Sequence, residues 1–305
     1  IADTNRYKKW NPKEQYFFKS RYLIFSDKYK SRTYFNFFDE KITNLGFPRL
    51  PYYENAFDDY YFTNRQDMGV DVEYNSATED VLRFIFSYNK YKRKKNTYYK
   101  DLTTLDEILV DNNSAQDTSL FDMMMNKATY SSKFNDQLQY QIGYNLQSET
   151  ARGKRILSKK QSQGDYAVFS NFQWNLNPKI KIKSGFRASY NTSYKSPITK
   201  SISLFSKFNN YNFRISYAEG FRAPSIKELF FEFIDVNHDI TGNVNLLSEN
   251  SNNYHISLTR EKIILNNKWN LNLEVISFYN DISNRITLIE KESSSNAYSY
   301  FNIGD

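Results

Sequence analysis

The order of short and long connections constrains the fold of this chain more than any single motif does. Segments with alternating apolar and polar residues are predicted strands, because a period of two places each set on one face. Between them, short and long connections alternate strictly along the chain. A soluble sandwich or propeller does not require short and long connections to alternate. An antiparallel membrane barrel does, since it has short periplasmic turns and long extracellular loops.

The fold class predicted is therefore all-β, a partial transmembrane antiparallel β-barrel. Its segments are roughly 9–11 residues long, which suits tilted membrane strands. We place about twelve strands near residues 16–25, 31–39, 67–75, 81–93, 120–130, 134–146, 164–176, 179–190, 200–208, 211–219, 253–264 and 268–279. The short turns are expected at 26–30, 76–80, 131–133, 177–178, 209–210 and 265–267. The long loops are expected at 40–66, 94–119, 147–163, 191–199 and 220–252.

Composition supports a barrel over a soluble globule. The chain has 26 tyrosines and 25 phenylalanines, yet its mean hydropathy is −0.73. A barrel combines these properties, because it has aromatic girdles and an apolar outer face while half of each strand is polar. No apolar run approaches the roughly 20 residues that a membrane helix needs, which excludes helical membrane proteins. The absence of cysteine excludes disulfides and thiolate chemistry.

The net charge of +7 is spread along the chain, and nucleic acid is not an expected partner. The only dense basic run is Lys92-Arg93-Lys94-Lys95. We interpret it as a solvated strand end; a polyanion site is the alternative.

Two short motifs flank the last long loop. Phe221-Arg222-Ala223-Pro224 ends one predicted strand, and Asn243-Val244-Asn245-Leu246 lies before the next. The stretch resembles an extracellular loop of TonB-dependent outer-membrane receptors, which carry a FRAP box and then an NPNL-type box. Val244 stands where that family usually has proline. Gly185-Phe186-Arg187-Ala188-Ser189-Tyr190 is similar to the family's G-x-R-x-x-Y strand, and weaker likenesses cover nearly the full length.

The resemblance implies a barrel of roughly 22 strands closed by a plug. Nothing here looks like a plug or a TonB box, so we expect residues 1–305 to be a fragment of the barrel domain that lacks the plug domain and the last strands. The implied partners are the TonB complex of the inner membrane, outer-membrane lipid, and a small iron chelate or haem. No cofactor is expected, because haem or a ferric chelate would be the transported substrate.

His238 is the sharpest candidate for a site. Imidazole is a common ligand of haem iron, and in haem-uptake receptors of the resembled family a histidine between the two boxes contacts haem. His238 lies between the matching boxes, next to Asn237. The alternative is that residues 235–238 form a turn that orders the loop. The other histidine, His255, begins the next predicted strand and is interpreted as structural.

Arg222, Tyr60 and Tyr61 are further candidates for ligand binding. The guanidinium of Arg222 suits carboxylates of a siderophore or the propionates of haem; alternatively it pairs with Glu219 or Glu228 and holds the loop. Ser225 and Glu228 have the spacing of a capping box, which would begin a short helix. Tyr60 and Tyr61 could stack on a ligand, or belong to an upper aromatic girdle.

No Ser/His/Asp spacing and no phosphate-binding glycine loop is present, so an enzyme is not expected. The residues and the resemblance together predict an outer-membrane receptor that imports an iron–siderophore complex or haem with TonB-coupled energy. A passive porin or an adhesin-like barrel is the alternative.

Overall fold

A computed structural model describes residues 6, 8–78, 80–112, 115–234, 239–264, 269–291 and 297–304. Its strands and single α-helix are, in chain order, β1 Lys13–Phe25, β2 Tyr29–Leu45, β3 Asn55–Asn75, β4 Val81–Asp101, β5 Glu107–Leu109, β6 Asp117–Lys133, β7 Leu138–Gly153, β8 Lys160–Asn177, β9 Ile180–Asn191, β10 Thr199–Phe208, β11 Tyr211–Arg222, α1 Ile226–Phe230, β12 Glu232–Ile234, β13 Asp239–Thr241, β14 Glu249–Ile264, β15 Trp269–Ser283, β16 Arg285–Glu290 and β17 Ala297–Ile303. No helix within these ranges is long and apolar enough to cross a membrane.

One large antiparallel sheet contains most of the strands. It runs in the order β1-β2-β3-β4-β6-β7-β8-β9-β10-β11-β14-β15, with the short β5 paired to β4. In the described part of the chain β1 and β15 are the two edges and do not pair with each other, so the barrel is not closed. The predicted partial antiparallel barrel is confirmed. A second sheet, in the order β12-β13-β17-β16, forms beside the segment that joins β11 to β14.

The predicted parity of the connections is also correct. One end of the sheet, which we call the short-connection end, has the tight links at 26–28, 178–179 and 209–210. The opposite long-connection end has the segments 102–116 and 223–248. The predicted turn at 265–267 lies outside the described residues.

Strand bounds at the long-connection end differ from the prediction. Residues 55–66 and 94–101 were expected in loops, but they are strand, and β3 pairs with β4 without a break from Asn55 opposite Asp101 to Asn75 opposite Val81. The expected loop at 40–66 shrinks to residues 46–54. Residues 131–133 were expected to turn and instead end β6, so the turn comes at 134–137.

The two faces of the sheet differ in chemistry. Leu82, Phe84, Phe86 and Tyr88 lie on what we call the outer face, and Arg83, Ser87 and Asn89 lie on the inner face. Two aromatic rows bound the apolar part of the outer face. The row at the short-connection end comprises Tyr29, Tyr74, Tyr130, Tyr140, Trp174 and Tyr211; the upper aromatic row, towards the long-connection end, comprises Tyr88, Tyr166, Tyr190, Tyr217, Tyr254 and Tyr279.

Several neighbouring rings within each row pack together. The ring centroids of Tyr217 and Tyr254 are 5.2 Å apart, and those of Tyr29 and Tyr74 are 4.9 Å apart. An apolar band between two aromatic girdles is the outer surface that a membrane barrel needs.

Two clusters of buried apolar residues form around the 223–248 segment. Ile226 of α1 packs with Ala151 and Ile156. Leu229 packs with Leu246 and Ile286. These clusters join the segment to the inner face of the large sheet at Ala151 and to the second sheet at Ile286.

Candidate functional site

The first box joins the end of β11 to α1. Phe221 and Arg222 are the last two residues of β11 and face Asn250 and Glu249 of β14. Ala223 is half-buried and Pro224 is fully buried. The Ser225 hydroxyl accepts a hydrogen bond from the Glu228 N–H, and the Glu228 carboxylate accepts one from the Ser225 N–H at 2.7 Å. The predicted capping box is present and satisfies two N–H groups that begin the helix.

Arg222 sits between two carboxylates. Its Nε and Nη2 donate to Glu249 at 2.7 and 2.6 Å, and its Nη1 donates to Glu228 at 2.9 Å. The guanidinium therefore joins the end of β11 to both α1 and β14. Of the two pairings considered, the one with Glu228 is present, whereas Glu219 accepts from the backbone N–H of Lys200 instead. The pairing with Glu249 was not predicted.

Arg222, Glu228 and Glu249 lie at the long-connection end, beyond the upper aromatic row. Arg222 shifts the pKa values of both carboxyl groups, and they in turn shift the pKa of Arg222. The hydrogen bonds from Arg222 hold the pKa of Glu249 below its ordinary value. Burial raises the pKa of Glu228, but hydrogen bonds from Arg222 and Ser225 outweigh it and hold that pKa below its ordinary value. The same contacts, led by those with Glu249, raise the pKa of Arg222. All three groups stay charged at neutral pH.

The second box closes the same loop. The Asn243 N–H donates to the Glu228 carbonyl at 2.9 Å, and its side chain donates to the Tyr300 carbonyl at 2.9 Å. The Asn243 side-chain oxygen accepts from the Asn245 N–H. Leu246 is buried, and its carbonyl accepts from the Tyr194 hydroxyl at 3.0 Å. Val244, the departure from the resembled motif, is 53% exposed, so the box is anchored without a proline there.

Helix α1 lies against the inner face of β6, β7 and β8. Ile226 packs with Ala151 of β7 and, nearby, Phe121 of β6. The Gln163 side chain of β8 donates to the Pro224 carbonyl at 3.1 Å. The loop that starts at β11 therefore crosses the inside of the sheet instead of standing away from it.

A cavity of about 360 Å³ opens beneath α1. Ser225, Ile226 and Lys227 form one side, and inner-face residues of β3, β4, β6 and β7 form the others. The inner-face residues that give it polar and aromatic character are Arg65, Asp67, Tyr91, Phe121 and Glu149. Burial raises the pKa of the Glu149 carboxyl, although a hydrogen bond from the Ile226 N–H partly offsets this. The cavity thus offers cations, an aromatic wall and a carboxyl that takes up a proton more readily than usual.

Tyr60 and Tyr61 lie on opposite faces of β3 and do not form one surface. Tyr60 is on the outer face, where its ring lies 5.5 Å from Tyr98 and its hydroxyl donates to Glu107. Burial, together with the charge of Glu107, raises the pKa of Tyr60 to about 12. Tyr61 faces inward, and the Arg93 guanidinium stacks over it at 5.3 Å.

Arg93 and Lys95, named above only as part of the dense basic run, lie on the inner face of β4. The Lys95 ammonium lies 3.1 Å from the Asp59 carboxylate and 5.9 Å from the centre of the Tyr61 ring. Their position follows from continuing the period-two pattern of β4 beyond residue 93. That signal was available, but the strand was predicted to end there.

The remaining candidates are the histidine and its neighbour. His238 and Asn237 lie outside the described residues, so their proposed contact with ligand stays a prediction. His255 lies on the inner face of β14, opposite Ser216 and Phe278. Within the described ranges, no three His, Cys, Asp or Glu side chains are grouped so as to hold a metal ion.

Comparison with known proteins gives a family for this geometry. A family model described as TonB dependent receptor-like, beta-barrel, matches residues 6–305. No curated protein matches the chain in sequence.

Solved receptors share the fold at low identity. The siderophore receptor PirA from Pseudomonas aeruginosa has a TM-score of 0.64 and 12% identity, with 96% of this chain and 57% of that chain covered. The ferric enterobactin receptor PfeA from the same organism, solved with BCV-L6, has a TM-score of 0.62 and 12% identity, with 97% and 56% covered. A double mutant of the Serratia marcescens hemophore receptor HasR, solved with HasA and heme, has a TM-score of 0.51 and 9% identity, with 94% and 58% covered. The chain spans little more than half the length of these receptors.

Proposed function

The chain belongs to the TonB-dependent receptor family through its β-barrel domain, and from this premise we propose that it is part of an outer-membrane receptor for a ferric chelate. The long-connection end would face outward and capture the chelate. Transport across the membrane would then draw energy through TonB from the inner membrane. The family is one of transport receptors, so catalysis is not part of the proposal.

The observation that carries the proposal is the position of the 223–248 segment. The first box fastens it to the inner face of the large sheet, the second box fastens it to α1 and β17, and α1 covers an inner-face cavity at the end where ligand would arrive. An arginine–carboxylate cluster holds the segment at a level beyond the upper aromatic row. This arrangement favours a receptor, whose entrance is ordered, and argues against a passive porin, whose pore is freely open.

An anionic chelate suits the inner face near this entrance. Arg65, Arg93 and Lys227 are exposed, and Tyr61 offers an aromatic surface beside Arg93. Arg222 already shares its donors between two carboxylates, so a ligand would have to compete for them. The solved relatives include siderophore receptors and one complex with heme, which supports both substrate classes as candidates.

Uptake of radioactive iron tests the proposal. The full-length receptor, in cells that lack other iron receptors, should take up iron from at least one ferric siderophore or haemin. Collapse of the proton gradient should abolish uptake while leaving surface binding unchanged. Flux that continues without the gradient would favour the passive porin.

Titration with haemin separates the two substrate classes. If His238 binds haem iron, His238→Ala in the full receptor should weaken haemin binding and alter the Soret band. His255→Ala, which removes the inner-face histidine of β14, is the matched control. An unchanged Soret band in His238→Ala would remove His238 as a ligand and favour a siderophore.

The membrane partner of this barrel is proposed to be outer-membrane lipid. The outer face carries the two aromatic rows with apolar side chains between them, as at Leu82, Phe84 and Phe86. Such a band buries its side chains in hydrocarbon and leaves aromatic rings at both interfaces.

A further inference from the structure

The dense basic run of the sequence is divided between the two faces of β4. Arg93 and Lys95 point inward, where both lie against Tyr61. Lys92 and Lys94 point to the opposite, outer face, in line with Lys90. The interpretation of this run as a solvated strand end is wrong, because β4 continues to Asp101.

The outer face of β4 changes from apolar to basic just beyond Tyr88. Leu82, Phe84, Phe86 and Tyr88 follow one another, and Tyr88 belongs to the upper aromatic row. The next three outward residues are Lys90, Lys92 and Lys94, all of them exposed. Alternate residues of a strand are about 7 Å apart, so a column of three ammonium groups rises directly above the apolar band.

Among the described residues, no carboxylate forms an ion pair with this column. Within the part of the chain that the structure describes, none of the three lysines makes an ion pair or lies over an aromatic ring. The carboxylate opposite Lys90 is Asp122, which already accepts from Tyr88 at 3.0 Å and from Arg152 at 2.9 Å. Opposite Lys92 and Lys94 are Asn64 and Phe62 on β3, and Leu120 and Thr118 on β6.

We propose that Lys90, Lys92 and Lys94 form a docking surface for the phosphate-bearing head groups of lipid in the leaflet at the long-connection end. Three like charges in one column repel one another, and an external anion relieves that repulsion. The column continues the lipid-facing apolar band at the depth where head groups begin, so a lipid that bound there would keep its chains against Phe84 and Phe86. Basic clusters beside membrane segments bind anionic head groups in this way.

This inference rests on the membrane placement proposed above and is independent of the transported ligand. The test uses the full-length receptor, purified in neutral detergent, with native mass spectrometry of added lipid A. The triple variant Lys90→Gln, Lys92→Gln, Lys94→Gln should bind lipid A about tenfold or more weakly than wild type, since each lysine near such a surface strengthens binding severalfold.

Three controls make the test specific. The matched variant Lys28→Gln, Lys179→Gln, Lys207→Gln removes the same charge from exposed positions at the short-connection end and should bind like wild type. The triple Lys→Arg variant at 90, 92 and 94 keeps the charge and should also retain binding. Lipid A stripped of its phosphates should bind wild type as weakly as it binds the triple glutamine variant.

Several outcomes would overturn the proposal. They are wild-type affinity in the glutamine variant at 90, 92 and 94, an equal loss in the short-connection control, and equal binding of dephosphorylated lipid. Displacement of lipid A by millimolar inorganic phosphate would point to a site for free phosphate and would also overturn it. Unfolding temperatures of all variants show whether each is folded. Iron uptake by the same variants reports separately on the transport function.

Discussion

At the scale of single residues, the best-defined feature is the pair of carboxylates around Arg222. A guanidinium can hold two carboxylates because its donors form a rigid fork, whereas an ammonium acts as a point charge. Glu228 is at once the partner of Arg222 and the carboxylate of the capping box that begins α1. The order of α1 is thus coupled to the end of β11 through one side chain.

Arg222→Lys should therefore loosen the 223–248 segment. It keeps the charge but loses the two-pronged contact with Glu249, and we expect hydrogen exchange in the segment to rise severalfold, in line with a loss of about 1–2 kcal/mol. Arg83→Lys is the matched control, because Arg83 makes a similar two-pronged contact with Asp71 near the short-connection end. Equal exchange in wild type and Arg222→Lys would show that the cluster does not order the loop.

Acid should loosen the same segment. The pKa values of Glu228 and Glu249 are both depressed in the folded protein. Their stabilising contribution is therefore fully present above the ordinary carboxyl pKa of about 4.5 and is lost as pH falls through the lower, folded values. Exchange in residues 223–248 should rise below about pH 4.5, and Glu228→Gln should flatten that dependence. A loop whose exchange is equally pH-dependent in Glu228→Gln would contradict this assignment.

The sequence could predict part of this cluster. The Ser225–Glu228 capping box and the Arg222–Glu228 pair join residues that are close together in the sequence, so local spacing predicts them. The Arg222–Glu249 contact needs β11 to pair with β14 across a 26-residue connection. No local pattern reports that register. That Tyr60 and Tyr61 lie on opposite faces of β3 was missed for a different reason, namely that this part of β3 was predicted to be a loop.

At the scale of elements, the alternating pattern predicts strands well only where lipid lies on one side. Between the aromatic rows most outer side chains are apolar and most inner ones polar, and all twelve predicted strands are present there. Beyond the upper row both faces are polar, as in the Lys94–Asp101 part of β4. Apolar and polar residues therefore no longer alternate along the strand, although the backbone pairing continues. Strands therefore ended too early in the prediction, and Tyr60 and Tyr61 were assigned to a loop.

The 223–248 segment also depends on close packing that a sequence pattern does not report. A Cβ added at Gly242 would come within 2.6 Å of the Leu229 carbonyl group. Gly242→Ala should separate the second box from α1, and Leu246→Ala should leave a cavity beside Leu229 that costs about 2–5 kcal/mol. Both variants should increase protease cleavage between residues 223 and 248, whereas Val244→Ala, at an exposed position, should not. If Gly242→Ala resisted the protease as well as wild type does, the two boxes would be held in place independently of each other.

At the scale of the whole molecule, one open sheet separates two environments. Its outer face is suited to lipid by its aromatic rows, and its inner face carries α1 and the charged cavity. Because α1 packs on β7, the 223–248 segment and the wall of the barrel are in direct contact. In the proposed transport, a chelate that passes along the inner face beneath α1 must displace the helix from this contact.

A reversible cross-link between α1 and the wall should therefore stop transport. The chain has no cysteine, so Ile226→Cys with Ala151→Cys introduces one unambiguous pair at a position where the two side chains pack together. We expect the oxidised full-length receptor to retain surface binding of the chelate but to lose most uptake, and reduction should restore uptake. Ala167→Cys with Ser189→Cys joins two facing residues of β8 and β9 within the wall and should not affect uptake. Uptake by the oxidised Ile226–Ala151 variant at the wild-type rate would mean that α1 stays in place and that the chelate passes elsewhere.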